Sequence, residues 1–203
     1  MVHIDNVEHI LQYGLCAIGH GHADPRYINI GDSGLMAQRK EYKVPVGPGG
    51  TLGEYIPFYF GGHSPMLLNI KTGHRGITQR PQHEIVYIIC EVRELVQQCA
   101  EWVYTDGHAK DKFTGFFTEI DRLPAIVDWN LVFEQYWRNT EEDIDRQRRK
   151  QAEFLVKSHV PVSCIHTIVV RTEERKRQVE EMLNRNGRKI PVVTDSTNEL
   201  YYP

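Results

Sequence analysis

The spacing of apolar positions predicts a chain of many short elements in irregular order. Val7, Ile10 and Leu11 recur at helical spacing behind Asp5, with Glu8 three residues after that aspartate and Gly14 as a stop. This predicts a helix with Asp5 as N-cap and Glu8 as its capping-box partner, preceded by a short strand at residues 2–4. Residues 16–53 are rich in Gly, Pro and polar side chains, which predicts a long irregular segment containing one short helix near 35–41. A loop of that length in a compact domain usually carries function. Strands are predicted at 55–60 and 66–70 around Gly61-Gly62, followed by a polar loop over 72–83. The continuous apolar run 85–92 suits a central strand; a helix over 93–101 and a strand over 102–104 then lead into the turn signal Thr105-Asp106-Gly107-His108.

Asp128 precedes a helical pattern over 129–137, and a charged segment follows at 138–150. Strands are expected at 153–156 and 164–170, then an amphipathic helix over 173–186 with Val179, Met182 and Leu183 inward and Gly187 as its stop. A strand at 190–193 would close the sheet. Numerous strands with few, non-alternating helices predict an α+β fold. No repeat or linker interrupts the pattern, and 203 residues suit one domain spanning 1–203.

Composition narrows the chemistry. With 40% hydrophobic and 25% charged residues, the chain reads as a globular protein. No apolar run reaches bilayer-spanning length, and the start Met1-Val2-His3-Ile4-Asp5 lacks the parts of a secretory signal. The expected location is the cytoplasm, without membrane contact. Cys16, Cys90, Cys99 and Cys164 form no CxxC pair, so free thiols are expected. Among ten histidines, His20 and His22 are two apart and no HExxH follows; no bound metal is expected. Gly47-Pro48-Gly49-Gly50 lacks the Lys and following helix of a phosphate-binding loop and reads as a turn. The net charge of −3 does not mark a nucleic-acid binder, but basic runs stand at 146–150 and 171–177. Glu173 and Glu174 punctuate the second, which reads as a solvated helix face.

The segment Arg148-Arg149-Lys150-Gln151-Ala152-Glu153-Phe154-Leu155-Val156 sets one carboxylate between a basic run and an apolar strand. Taken alone, it reads as a surface carboxylate paired with a neighbouring Arg. An Arg, a Glu and aromatic residues spread over strands and loops suit a dinucleotide's phosphates and a cationic sugar transition state. Composition takes the assignment no further.

Several blocks give the chain a family likeness: His3-Ile4-Asp5-Asn6, Asp24-Pro25-Arg26-Tyr27-Ile28, Ile30-Gly31-Asp32, Arg39, Tyr55-Ile56-Pro57-Phe58-Tyr59-Phe60, Ser64-Pro65-Met66-Leu67, Thr105-Asp106-Gly107-His108-Ala109 and Gln151 to Val156. In this order they resemble the DarT family of bacterial DNA ADP-ribosyltransferase toxins, in its thymidine-modifying branch. The resemblance implies an ADP-ribosyltransferase fold, with two packed β-sheets around a cleft for NAD+, the co-substrate. It further implies modification of thymine in single-stranded DNA and restraint by a macrodomain antitoxin, DarG. Carried over by motif, Glu153 would be the catalytic glutamate and Arg39 the arginine that meets the NAD+ phosphates and assists the reaction. His3, Asn6 and Gly31 would line the NAD+ cleft, with Gly31 suited to a positive φ. Tyr104, His108, Arg146, Arg148 and Arg149 would face DNA. Tyr55, Tyr59 and Phe60 read as core and cleft wall. The family's further His, two or three residues upstream of the position of His3, has no counterpart here. Rival expectations are a transferase acting on RNA or protein, and a catalytically impaired nucleic-acid binder.

Overall fold

The computed structural model describes residues 1–203, apart from the side chain of Arg75. Its strands are β1 (Val2–His3), β2 (Leu15–Cys16), β3 (Tyr55–Tyr59), β4 (Ile85–Cys90), β5 (Trp102–Thr105), β6 (Phe116–Phe117), β7 (Glu153–Lys157), β8 (His159–Val160), β9 (Ile165–Val170) and β10 (Val192–Thr194). The α-helices are α1 (Val7–Tyr13), α2 (Ser33–Glu41), α3 (Pro65–Thr72), α4 (Val92–Gln98), α5 (Leu123–Ile126), α6 (Trp129–Phe133), α7 (Arg146–Lys150) and α8 (Glu173–Arg185). One four-stranded sheet runs β1-β4-β9-β10, a second runs β3-β7-β5-β6, and β2 pairs with β8. The second sheet is antiparallel throughout, whereas β9 and β10 are parallel and joined through α8. The fold is α+β, as the pattern predicts.

Side-chain alternation explains the layering, because successive strand residues point to opposite faces. Val86 and Ile88 of β4 join Phe154 and Val156 of β7 in one large core, into which Val179, Met182 and Leu183 of α8 also pack. Ile85 and Tyr87 instead build an outer core with Leu67, Ile70 and Tyr201, while Leu155 joins Val44, Leu52, Tyr55 and Val103 on the far side of the second sheet. Both sheets are therefore covered on both faces, and their central strands read as continuous apolar runs for that reason.

Three local expectations need correction. Residues 66–70 form helix rather than strand: Ser64 accepts from the Leu67 N–H at 3.1 Å, Pro65 sits in the first turn, and Gly73 closes α3 at φ +69. Gly61-Gly62 does not turn a hairpin. A Cβ at Gly61 would lie 1.9 Å from the Val132 carbonyl oxygen and one at Gly62 2.7 Å from that of Glu199, so both glycines are needed for close backbone approach. Asp5 does not cap α1; Glu8 bonds Arg185 and Asn186 of the α8 end instead.

The helix expected at 129–137 ends at Phe133, where Glu134 turns to extended backbone and a lysine takes the carbonyls on either side of Phe133. Lys150 is buried, and its Nζ donates to the carbonyls of Val132 and Glu134, each at 2.7 Å. Burial draws its pKa down to about 8, which leaves it protonated at pH 7. Lys150→Met would strand both carbonyls, so unfolding free energy should fall by about 2–4 kcal/mol. A lowered urea midpoint at constant m-value would show it; a loss under ~1 kcal/mol would mean that the carbonyls find other partners.

Candidate active site

Strand β7 opens on Glu153, which pairs across the sheet with Tyr59 at the end of β3. The carboxylate is 1% exposed, yet it stands in the wall of a cleft of about 1790 Å³. Tyr87–Cys90 of one sheet, Tyr55–Phe60 of the other and the long segment 14–39 contribute to that wall. Helix α2, capped by Asp32 on the Leu35 N–H at 3.0 Å, carries Arg39 over Glu153. Nη1 of Arg39 donates to Glu153 Oε2 at 3.1 Å, forming an ion pair, while the Ala109 N–H donates to Oε1 at 2.9 Å. The second guanidinium nitrogen, Arg39 Nη2, is buried without a hydrogen-bond partner among the described residues. An unpaired buried guanidinium donor in a cleft wall is suited to an anionic group of a ligand.

The loop after β5 fixes the glutamate from behind. Thr105 is fully buried; its Oγ1 accepts from the Glu153 N–H at 3.0 Å and donates to the Gly107 carbonyl at 2.7 Å. Thr105 is thus a positioning residue that couples the turn to β7. Thr105→Val should lower kcat about tenfold while the KM for dinucleotide stays near wild type, and Thr105→Ser should recover most of the loss. A Val variant with reduced stability but wild-type kcat would assign Thr105 to folding alone.

Two neighbours complete the pair's surroundings. Burial, and secondarily the Glu153 charge, pushes the Tyr59 phenol well above its ordinary range, so Tyr59 stays protonated. Burial likewise lowers the His108 pKa, although Glu153 opposes it, which favours neutral imidazole in the cleft.

The other expected site residues divide. Asn6 is buried in the cleft wall, but its amide is spent on the long loop: Nδ2 donates to the Ile28 carbonyl and Oδ1 accepts from the Ile28 N–H, both at 2.9 Å. Gly31 lines the cleft without a positive φ, and its N–H donates to Asn29 Oδ1 at 2.9 Å. His3 lies outside the cleft wall. Its Nδ1 accepts from the Asp5 N–H at 3.2 Å and its Nε2 stands 3.5 Å from Glu84, so it caps the turn before α1.

Tyr104 does not face solvent either. It is fully buried, stacks on Phe117 and donates to the Glu119 carbonyl at 2.8 Å. Arg148 is consumed internally by Asp145 (2.7 and 2.8 Å), Asp106 (3.0 Å) and Thr114 (3.2 Å). Arg149 is likewise paired with Asp128 and Asp143. Of these three, one is core and two are ion-paired clamps. Arg146 retains the most freedom, with Nη2 on the Tyr136 carbonyl at 3.0 Å.

Comparison with known proteins gives the family. A family model described as "ssDNA thymidine ADP-ribosyltransferase, DarT" matches residues 1–202. A DNA ADP-ribosyl transferase of Escherichia coli O127:H6 is 38% identical over 197 residues, covering 97% of this chain and 89% of that protein. One from Thermus aquaticus is 33% identical over 183 residues, covering 90% and 78%. The structure of Thermus sp. 2.9 DarT in complex with ADP-ribosylated ssDNA superposes with a TM-score of 0.87 at 30% identity, covering 98% of this chain and 93% of that one. The same protein in complex with NAD+ gives 0.82 at 29% identity, covering 98% and 94%. The chain belongs to the DarT family of ssDNA thymidine ADP-ribosyltransferases.

Proposed function

We propose that this chain transfers ADP-ribose from NAD+ to thymine in single-stranded DNA and releases nicotinamide. The observation that carries the reading is the Arg39–Glu153 pair, sequestered in the cleft with one guanidinium donor left over. NAD+ is consumed, so it is a substrate. Arg39 Nη2 suits its pyrophosphate, and the wall around Asn6 and Gly31 suits the rest of the dinucleotide. A cleft of about 1790 Å³ exceeds ordinary small-ligand pockets and leaves room for an acceptor base beside the cofactor.

In the reaction, the bond between the ribose anomeric carbon and nicotinamide breaks, and the electron pair leaves with the pyridine ring. Glu153 binds a ribose hydroxyl and offsets the oxocarbenium charge that develops, an interaction strengthened by its desolvated setting. A thymine ring nitrogen then forms the new glycosidic bond and gives up its proton. The neutral imidazole of His108 beside the pair suits this proton's acceptance. Transfer to a base avoids unstacking in single-stranded DNA, whereas duplex DNA costs a few kcal/mol to open.

The toxin activity implied by such base modification would be restrained by a macrodomain antitoxin of the DarG type, acting in the cytoplasm; among the described residues no helix is long and apolar enough to cross a membrane. The deciding experiment incubates the protein with labelled NAD+ and one thymine-containing oligonucleotide, single-stranded or annealed, with RNA and protein acceptors in parallel. Label on the single strand alone is expected. Equal labelling of the duplex, or label on RNA or protein instead, would refute the assignment.

A further inference from the structure

Large apolar side chains stand in water along the cleft. Phe113, Phe133 and Ile144 are 72%, 64% and 78% exposed, and all three line it. Tyr136, 80% exposed, has its carbonyl held by Arg146. Two internal cations build this face. Arg148 ties Thr114, next to Phe113, to Asp145, next to Ile144; Lys150 grips the carbonyls of Val132 and Glu134, on either side of Phe133. Exposed aromatic rings held in place at a cleft mouth mark a surface that something covers.

Continuity with the active site identifies the occupant. Phe113, Phe133 and Ile144 share one cleft with Glu153, so a strand that delivers a thymine to the glutamate brings its flanking nucleotides into the cleft these side chains line. The segments carry no excess of cations: Lys110, Lys112, Arg138 and Arg146 are matched by Asp111, Glu134, Glu141 and Glu142, and Arg148 and Arg149 are held by Asp106, Asp128, Asp143 and Asp145. A surface with aromatic faces and no excess of cations holds a strand by its bases more than by its phosphates. Resting on the reading of the chain as a thymine-modifying enzyme, we infer that Phe113 and Phe133 form a stacking platform for the bases flanking the target thymine.

The test uses an oligonucleotide with one target thymine, carrying either normal or abasic neighbours, against the wild type and the double variant F113A/F133A. Both substitutions are at exposed positions, and a matching thermal melt establishes the fold. For the wild type, abasic neighbours should raise the KM for the strand about tenfold. The double variant should show that rise with the normal strand, and abasic neighbours should add less than about twofold. Phe113→Tyr with Phe133→Tyr should restore the wild-type KM. Affinity should fall with salt at a log–log slope shallower than about −2.

A wild-type KM in F113A/F133A, losses that multiply, or a slope of about −4 or steeper would overturn the platform. Unchanged DNA kinetics with lost binding of a macrodomain partner would reassign the face to protein. Absence of thymine modification by the wild type would refute the proposed function instead.

Discussion

Glu153→Gln is expected to lower kcat by about a thousandfold or more while NAD+ affinity changes little, because the lost charge acts mainly on the oxocarbenium-like transition state. Gln keeps the length of the side chain and an acceptor for the Ala109 N–H, so β7 and the turn after β5 remain joined. It removes the negative charge opposite Arg39. That guanidinium is 12% exposed and borders the cleft, so water or cofactor can compensate it, and the melting temperature should fall only modestly. Single-turnover transfer from labelled NAD+ at saturating DNA reads the chemical step directly. Near-normal single-turnover rates in a folded Glu153→Gln protein would remove Glu153 from the chemistry.

Much of the scaffold was legible because its signals are local. The apolar runs of β4 and β7 reflect strands covered on both faces, and the Val179, Met182 and Leu183 stripe lies on the buried side of α8. Helix α3 was misread because Met66-Leu67-Leu68-Asn69-Ile70 suits either element; Ser64-Pro65 before it and Gly73 after it were the signals that settle the choice. Helix α7 has no apolar period to find. It is held by the acidic residues around it, Asp145 on Arg148 and Asp143 and Asp128 on Arg149.

The candidate active site was legible only through family resemblance. Arg39 and Glu153 are 114 positions apart, and no periodicity links them. Blocks of matching residues singled them out, and the fold then brings them into contact. Among the residues that the same resemblance assigned to DNA, Tyr104 is core and Arg148 and Arg149 are ion-paired. A run of arginines faces phosphate only when its carboxylates lie elsewhere, and here Asp106, Asp128, Asp143 and Asp145 converge on it from three segments. The positioning role of Thr105 had a faint signal, a threonine opening the Thr105-Asp106-Gly107-His108 turn, but its bond to the Glu153 backbone spans 48 residues.

Arg39 offers a prediction in which stability and binding separate. Arg39→Ala leaves the Glu153 carboxylate, 1% exposed, with the Ala109 N–H as its remaining partner. Removing one member of a buried ion pair costs about 3–5 kcal/mol, so a clear drop in the urea midpoint is expected. The same variant loses the guanidinium donor available to phosphate, which should weaken NAD+ binding by roughly 10- to 100-fold, the worth of one hydrogen bond to a charged group. Arg39→Lys separates the two effects. Its ammonium can still face Glu153 and should recover most of the lost stability. It is a point charge, however, and cannot keep one donor on the carboxylate while directing a second, coplanar donor to phosphate. The Lys variant should therefore be close to wild type in urea and well below it in NAD+ affinity by calorimetry, with turnover reduced in parallel. If Arg39→Lys binds and turns over NAD+ as the wild type does, charge alone suffices at this position and the fork geometry has no role in holding the dinucleotide.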